Sequence, residues 1–206
     1  MHTRCSQKAM PSGLSGRVRP GLPQFQTPTS GLIMYVNLRN TTMQDLPNIM
    51  TWVNDKEINY YFANRQKEIS EADEVYYLNK LLQSKTDWTY SIYVSNSPPP
   101  LEGTRIPEYA GQCSINQIYE PAANGRMFIV LKKEFQGMGI GQLAIKELLV
   151  KAIEGDLHKI WLIVREDNKR AQALYLRAGF SFEGVLKDEY KIHGKYVNMV
   201  RMGIIL

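Results

Sequence analysis

The tightest constraint on this chain lies at residues 126–154, RMFIVLKKEFQGMGIGQLAIKELLVKAIE. Apolar residues run unbroken from Met127 to Leu131, and a charged turn follows. Gln136-Gly137-Met138-Gly139-Ile140-Gly141 then leads into apolar positions at Ile145, Leu148, Leu149, Ala152 and Ile153. That order predicts a strand, a glycine-rich turn and a helix. Three alternate glycines would clear every Cβ from the side of the turn a ligand approaches. Several backbone N–H groups could then face one anion beside the positive end of a helix. Taken alone, the turn is either a tight connection or a pyrophosphate cradle. It is neither of the two common phosphate loops: the dinucleotide fingerprint needs a different glycine spacing, and the Walker loop ends in Gly-Lys-Ser/Thr, where this chain has Gln142 and Leu143.

About 30 residues on stands a second block, Asn168-Lys169-Arg170-Ala171-Gln172-Ala173-Leu174-Tyr175-Leu176-Arg177-Ala178-Gly179-Phe180. Together the two resemble the GNAT N-acetyltransferases. Gln136, Gly139 and Gly141 match that family's Arg/Gln-x-x-Gly-x-Gly/Ala loop for acetyl-CoA, and the second block matches N-x-x-A-x-x-x-Y-x-x-x-G-F. The ending at residues 184–201, GVLKDEYKIHGKYVNMVR, is similar to the branch that holds the spermidine N-acetyltransferases and the RimJ/RimL-like ribosomal-protein acetyltransferases. The resemblance covers most of residues 35–206 and is strongest after Arg126.

It implies an α/β fold, a single mixed and mostly antiparallel sheet with helices on both faces, with acetyl-CoA as co-substrate; that no metal is expected follows from the spacing of the histidines. The backbone N–H groups of Gln136, Gly137, Met138, Gly139, Ile140 and Gly141 would hold the pyrophosphate. Ile129, Val130 and Leu131 would bond the pantetheine arm as a missing neighbouring strand, while their side chains pack in the sheet. Asn168 would contact the CoA arm or serve only as a helix cap, and Ala171 belongs to the same block. Tyr175 would be the general acid for the departing thiolate: a phenol near pKa 10 is protonated at pH 7, and a free thiol titrates near 8.5. Its alternative is a core aromatic on a helix face. Where some relatives carry a glutamate, this chain has Arg126. The base for the amine is therefore open among Glu120, Asp55, Glu57, Glu68, Glu71, Asp73 and Glu74.

Charge bears on partners. The chain of 206 residues has a formal net charge of +5, but residues 1–33 hold Arg4, Lys8, Arg17 and Arg19 and no acid, so the remainder is nearly neutral. This removes the usual electrostatic ground for nucleic-acid binding. Residues 1–33, rich in Gly, Pro, Ser and Arg, read as disordered. They fit an upstream or vector-derived extension before a natural start at Met34 better than an organellar transit peptide, leaving residues 34–206 as the acetyltransferase domain. No apolar run reaches the ~18 residues that span a membrane. Cys5 and Cys113 make no disulfide framework, consistent with the cytoplasm, and His2, His158 and His193 have no metal-ligand spacing.

Along the chain, residues 35–39 read as a first strand. Thr42 or Asp45 caps a helix with Leu46, Ile49 and Trp52, and residues 54–57 break it. Ser70 with Asp73 starts a second helix. Trp88, Tyr90, Ile92 and Val94 alternate as a half-buried strand, a polar loop holds Pro98-Pro99-Pro100, and residues 109–119 return. Residues 159–165 read as a strand covered on both faces. A closing pair turns at His193-Gly194.

The resemblance leaves the acceptor open. A small-molecule amine ranks first: a polyamine, using acids at residues 55–74, or an amino sugar, using Trp52, Tyr60, Tyr61 and Phe62. A protein N-terminus ranks second. A non-catalytic CoA-binding sensor or scaffold is the alternative of another class, and a nucleotide-phosphate enzyme ranks last. A homo-oligomer is compatible with each.

Overall fold

The computed structural model describes residues 34–62, 67–96 and 107–206. The expectations for residues 1–33 and for Pro98-Pro99-Pro100 fall outside the described residues. The strands are β1 (Tyr35–Asn40), β2 (Trp88–Ser95), β3 (Glu108–Tyr119), β4 (Asn124–Leu131), β5 (Lys159–Arg165), β6 (Ser181–Ile192) and β7 (Lys195–Ile205). The helices are α1 (Leu46–Met50), α2 (Lys56–Asn59), α3 (Glu71–Gln83), α4 (Ile140–Glu154) and α5 (Lys169–Arg177). One seven-stranded sheet runs β1-β2-β3-β4-β5-β7-β6. Every neighbouring pair is antiparallel except β4 with β5. The expected mixed sheet is present.

Strand alternation builds two cores. Met127, Ile129 and Leu131 of β4 pack with Ile145, Leu148 and Leu149 of α4. Phe128 and Val130 point the other way, toward Ile49, Trp52, Val53 and Leu78. Helices therefore cover both faces, as expected.

Local chemistry sets the boundaries. Ser70 accepts from the Asp73 N–H and Asp73 returns to the Ser70 N–H, the expected capping box at the start of α3. The first predicted helix is instead two short pieces, a 3-10 turn and α1, with α2 following the break. Thr42 and Asp45 close a capping box around a 3-10 turn, Pro47 opens α1, and Asp55 caps α2 by accepting from the Glu57 and Ile58 N–H groups. Residues 54–57 thus start a helix as well as break one.

In β5, Ile160, Leu162 and Val164 are buried, while Trp161 and Ile163 remain partly exposed. Coverage on both faces is not found. The ring of Trp161 lies instead beneath the guanidinium groups of Arg126 and Arg201, at 5.8 and 4.1 Å. The closing pair turns at His193 and Gly194, both with positive φ, as a tight hairpin requires.

Candidate active site

β4 and β5 pair in parallel only from Asn124 to Arg126 on one strand and from Lys159 to Trp161 on the other. Beyond Arg126 they part, while β4 stays paired with β3 as far as Leu131. One edge of β4 is thereby left without a strand neighbour, and a cleft of about 1280 Å³ opens along it.

The glycine turn closes one end. Gly137 and Gly139 have φ of 82° and 81°, a left-handed backbone that any Cβ would strain. The first internal bonds of the 15-residue helix α4 run from the Gln142 and Leu143 N–H groups to the Gly139 carbonyl. The N–H groups ahead of them stand at the positive end of the helix, suited to an anion.

Gly141 acts differently from its two neighbours. A Cβ there would sit 3.2 Å from Leu174 and 3.5 Å from Leu131, so this glycine lets α4 approach α5 and β4. Ile140 is fully buried in the core beneath α4 and does not line the cleft, so only its backbone could serve there.

The remaining predicted residues come together. Ile129, Val130 and Leu131 line the floor, and Gln136, Gly137, Met138, Gly139 and Gly141 line the turn. Asn168, Ala171 and Tyr175 line the α5 wall. Gln136 Nε2 donates to the Leu131 carbonyl at 3.0 Å and its Oε1 accepts from Arg170 at 3.4 Å, which ties the end of β4 to the start of α5. Asn168 caps α5 by accepting from the Ala171 N–H, leaving its amide N–H₂ unspent. Tyr175 packs edge-on against Phe180, and burial pushes its phenol up to about 12. No hydrogen bond from the described residues reaches its hydroxyl.

Of the candidate bases, only Glu57 lines the cleft, and it pairs with Lys133 at 2.6 Å. Asp55 and Asp73 are helix caps, and Glu120 is exposed on the 3-10 turn after β3. Trp52 is core, donating to the Tyr109 hydroxyl at 3.3 Å, and is not part of an aromatic acceptor wall. Tyr61 and Phe62 do line the cleft.

Two arginines were not anticipated. Arg170 reaches the glycine turn from α5, as its place inside the second motif could have signalled. Arg165, 7% exposed, forks onto Asp167, donates to the Tyr60 carbonyl at 3.0 Å and lies under the Tyr60 and Tyr61 rings. It fastens the segment after α2 to the end of β5.

A sheet parted between its only parallel strands, above a glycine-rich helix start, is the architecture of the N-acetyltransferase class. The Acetyltransferase (GNAT) family model matches residues 54–180, and the chain belongs to that family. Spermidine N(1)-acetyltransferase of Escherichia coli K12 is 34% identical over 98 residues, 47% of this chain and 53% of that protein, so the match spans about half the relative's length. The Vibrio cholerae spermidine N(1)-acetyltransferase is 29% identical over 172 residues, 82% of this chain and 92% of the relative. The crystal structure of spermidine N-acetyltransferase from Vibrio cholerae in complex with CoA and spermine superposes with a TM-score of 0.72 at 26% identity, covering 82% of this chain and 95% of that one.

Proposed function

We propose that the chain is an acetyl-CoA-dependent N-acetyltransferase that moves an acetyl group directly to a primary amine of a small molecule. The observation that carries this reading is the unpartnered edge of β4 running into the Gly137–Gly139 turn. An extended amide arm fits the edge, and a pyrophosphate fits the turn and Arg170. The names of the relatives, which act on spermidine, support a small amine as acceptor.

Acetyl-CoA, when bound, supplies an activated thioester. The amine nitrogen bonds to the acetyl carbon, the carbon–sulfur bond breaks, and the amine loses a proton to water or a base. With the pantetheine arm along the edge of β4, an N–H group of that strand would donate to the carbonyl oxygen as it gains charge. Tyr175 donates to the departing sulfur. With its phenol near 12 it stays protonated at any working pH.

The test is thermal unfolding of the full chain with and without acetyl-CoA, then thiol release with an amine panel. Ligand at 100 times its dissociation constant stabilises by about 2.7 kcal/mol. Stabilisation with thiol release is the expected result; no stabilisation overturns the reading.

A further inference from the structure

On the sheet face that carries Phe128 and Val130, register sets four polar side chains side by side. Thr89 lies opposite Ser114, Asn116 lies opposite Arg126, and Asn116 Nδ2 donates to Ser114 Oγ at 3.4 Å. All four line the cleft. Two atoms of this row, Thr89 Oγ1 and Asn116 Oδ1, are buried without a hydrogen-bond partner. Both atoms have almost no accessible surface, so the member of this row left open to a ligand is Arg126, half-buried at the cleft wall.

The charges around this row are one-sided. Among the described cleft-lining residues, the cations are Lys80, Arg126, Arg165, Arg170 and Arg177 and the acids Glu57 and Asp87; Arg165 is already held by Asp167 and Arg170 by Gln136, which leaves Lys80, Arg126 and Arg177. Both acids are engaged, Glu57 by Lys133 and Asp87 by the Ser84 hydroxyl and the Gln117 N–H. A linear polycation needs carboxylates when it leaves water, and this wall has none to spare. Arg126, by contrast, has no carboxylate partner among the described residues; its guanidinium rests only near the Trp161 ring. It also sits on the last rung before β4 and β5 part, beside the edge an amine must approach. A fixed cation there repels an ammonium, favouring the neutral amine, and attracts an anion by a paired hydrogen-bond fork.

We infer that the acceptor is an amine carrying an anionic group, and that Arg126 meets the anion. This rests on the N-acetyltransferase reading above. Phosphate and carboxylate share the required chemistry.

The full chain, first checked for stabilisation by acetyl-CoA, is assayed for thiol release with glucosamine 6-phosphate, serine, glucosamine and spermidine. The same assay is run on Arg126→Gln and Arg126→Lys. An anionic acceptor should exceed both glucosamine and spermidine in kcat/KM by about tenfold or more, glucosamine 6-phosphate leading if the anion is phosphate and serine if it is carboxylate. Arg126→Gln should raise KM for that acceptor about tenfold with CoA affinity unchanged, and Arg126→Lys should recover part of it. Spermidine as the best acceptor, equal use of glucosamine, indifference to Arg126→Gln, or no response to either anionic amine overturns the inference while stabilisation by acetyl-CoA stands. Absence of that stabilisation overturns the acetyltransferase reading and this one with it.

Discussion

Replacing Tyr175 by Phe removes one oxygen and keeps the ring that packs on Phe180. The hydroxyl has no hydrogen-bond partner among the described residues, so folding should change by less than about 0.5 kcal/mol. Catalysis should change far more. Full proton transfer from a phenol near 12 to a free thiolate near 8.5 is uphill by about 3.5 in pKa, ~5 kcal/mol. The side chain therefore acts mainly by donating a hydrogen bond to sulfur as charge develops, and completes the transfer only if the dry cleft raises the thiol as well. A hydrogen bond to a charged group is worth about 1.5–3 kcal/mol, which corresponds to a loss of roughly 10- to 150-fold in kcat. The assay compares Tm, CoA affinity and steady-state thiol release for the two proteins. Equal Tm, equal CoA affinity and a kcat loss in that range support the role. An unchanged kcat, or a loss that tracks CoA affinity, refutes it.

Other outcomes follow from features already described. Gly139→Ala forces a side chain into φ 81° and should weaken CoA binding by about 1–2 kcal/mol, read by calorimetric titration. Gly155→Ala drives a Cβ to within 2.1 Å of the Trp88 ring and should lower stability by about 1–3 kcal/mol in urea unfolding, with kcat retained. Arg165→Lys cannot reproduce the fork to Asp167 and the Tyr60 carbonyl, so KM for the acceptor should rise while CoA affinity holds. Because the Tyr175 phenol is raised, its proton is lost only above the usual phenol range. The rate should climb from about pH 7 to 9.5 as the amine deprotonates, and a fall within that window would argue against the assignment.

Features confined to a few neighbouring residues were legible in the chain. The Ser70 and Asp73 box, the Gln136–Gly141 turn and the Asn168 cap each depend on contacts within a few positions. Features set by distant contacts were not. Arg165 takes its meaning from Tyr60, which is 105 residues away, and an arginine ending an apolar strand gives no sign of that partner. Trp52 belongs to an aromatic-rich stretch that reads alike whether it faces the core or the cleft. Gly141 looks like its two neighbours in sequence, yet only the approach of Leu174 reveals it as a packing glycine. The row from Thr89 to Arg126 exists only once the registers of three strands are known.

The parted edge of β4 has a bearing on solubility. An unpaired strand edge is a template on which a second chain can grow a sheet, and exposed edges are commonly blunted by charge, proline or a cover. Here the stretch without a β5 partner is Met127–Leu131, lying along the cleft and met at its end by Gln136 Nε2 on the Leu131 carbonyl. The edges that another chain could reach are those of β1 and β6, at the two ends of the sheet, while the β4 edge stays inside the cleft for its ligand.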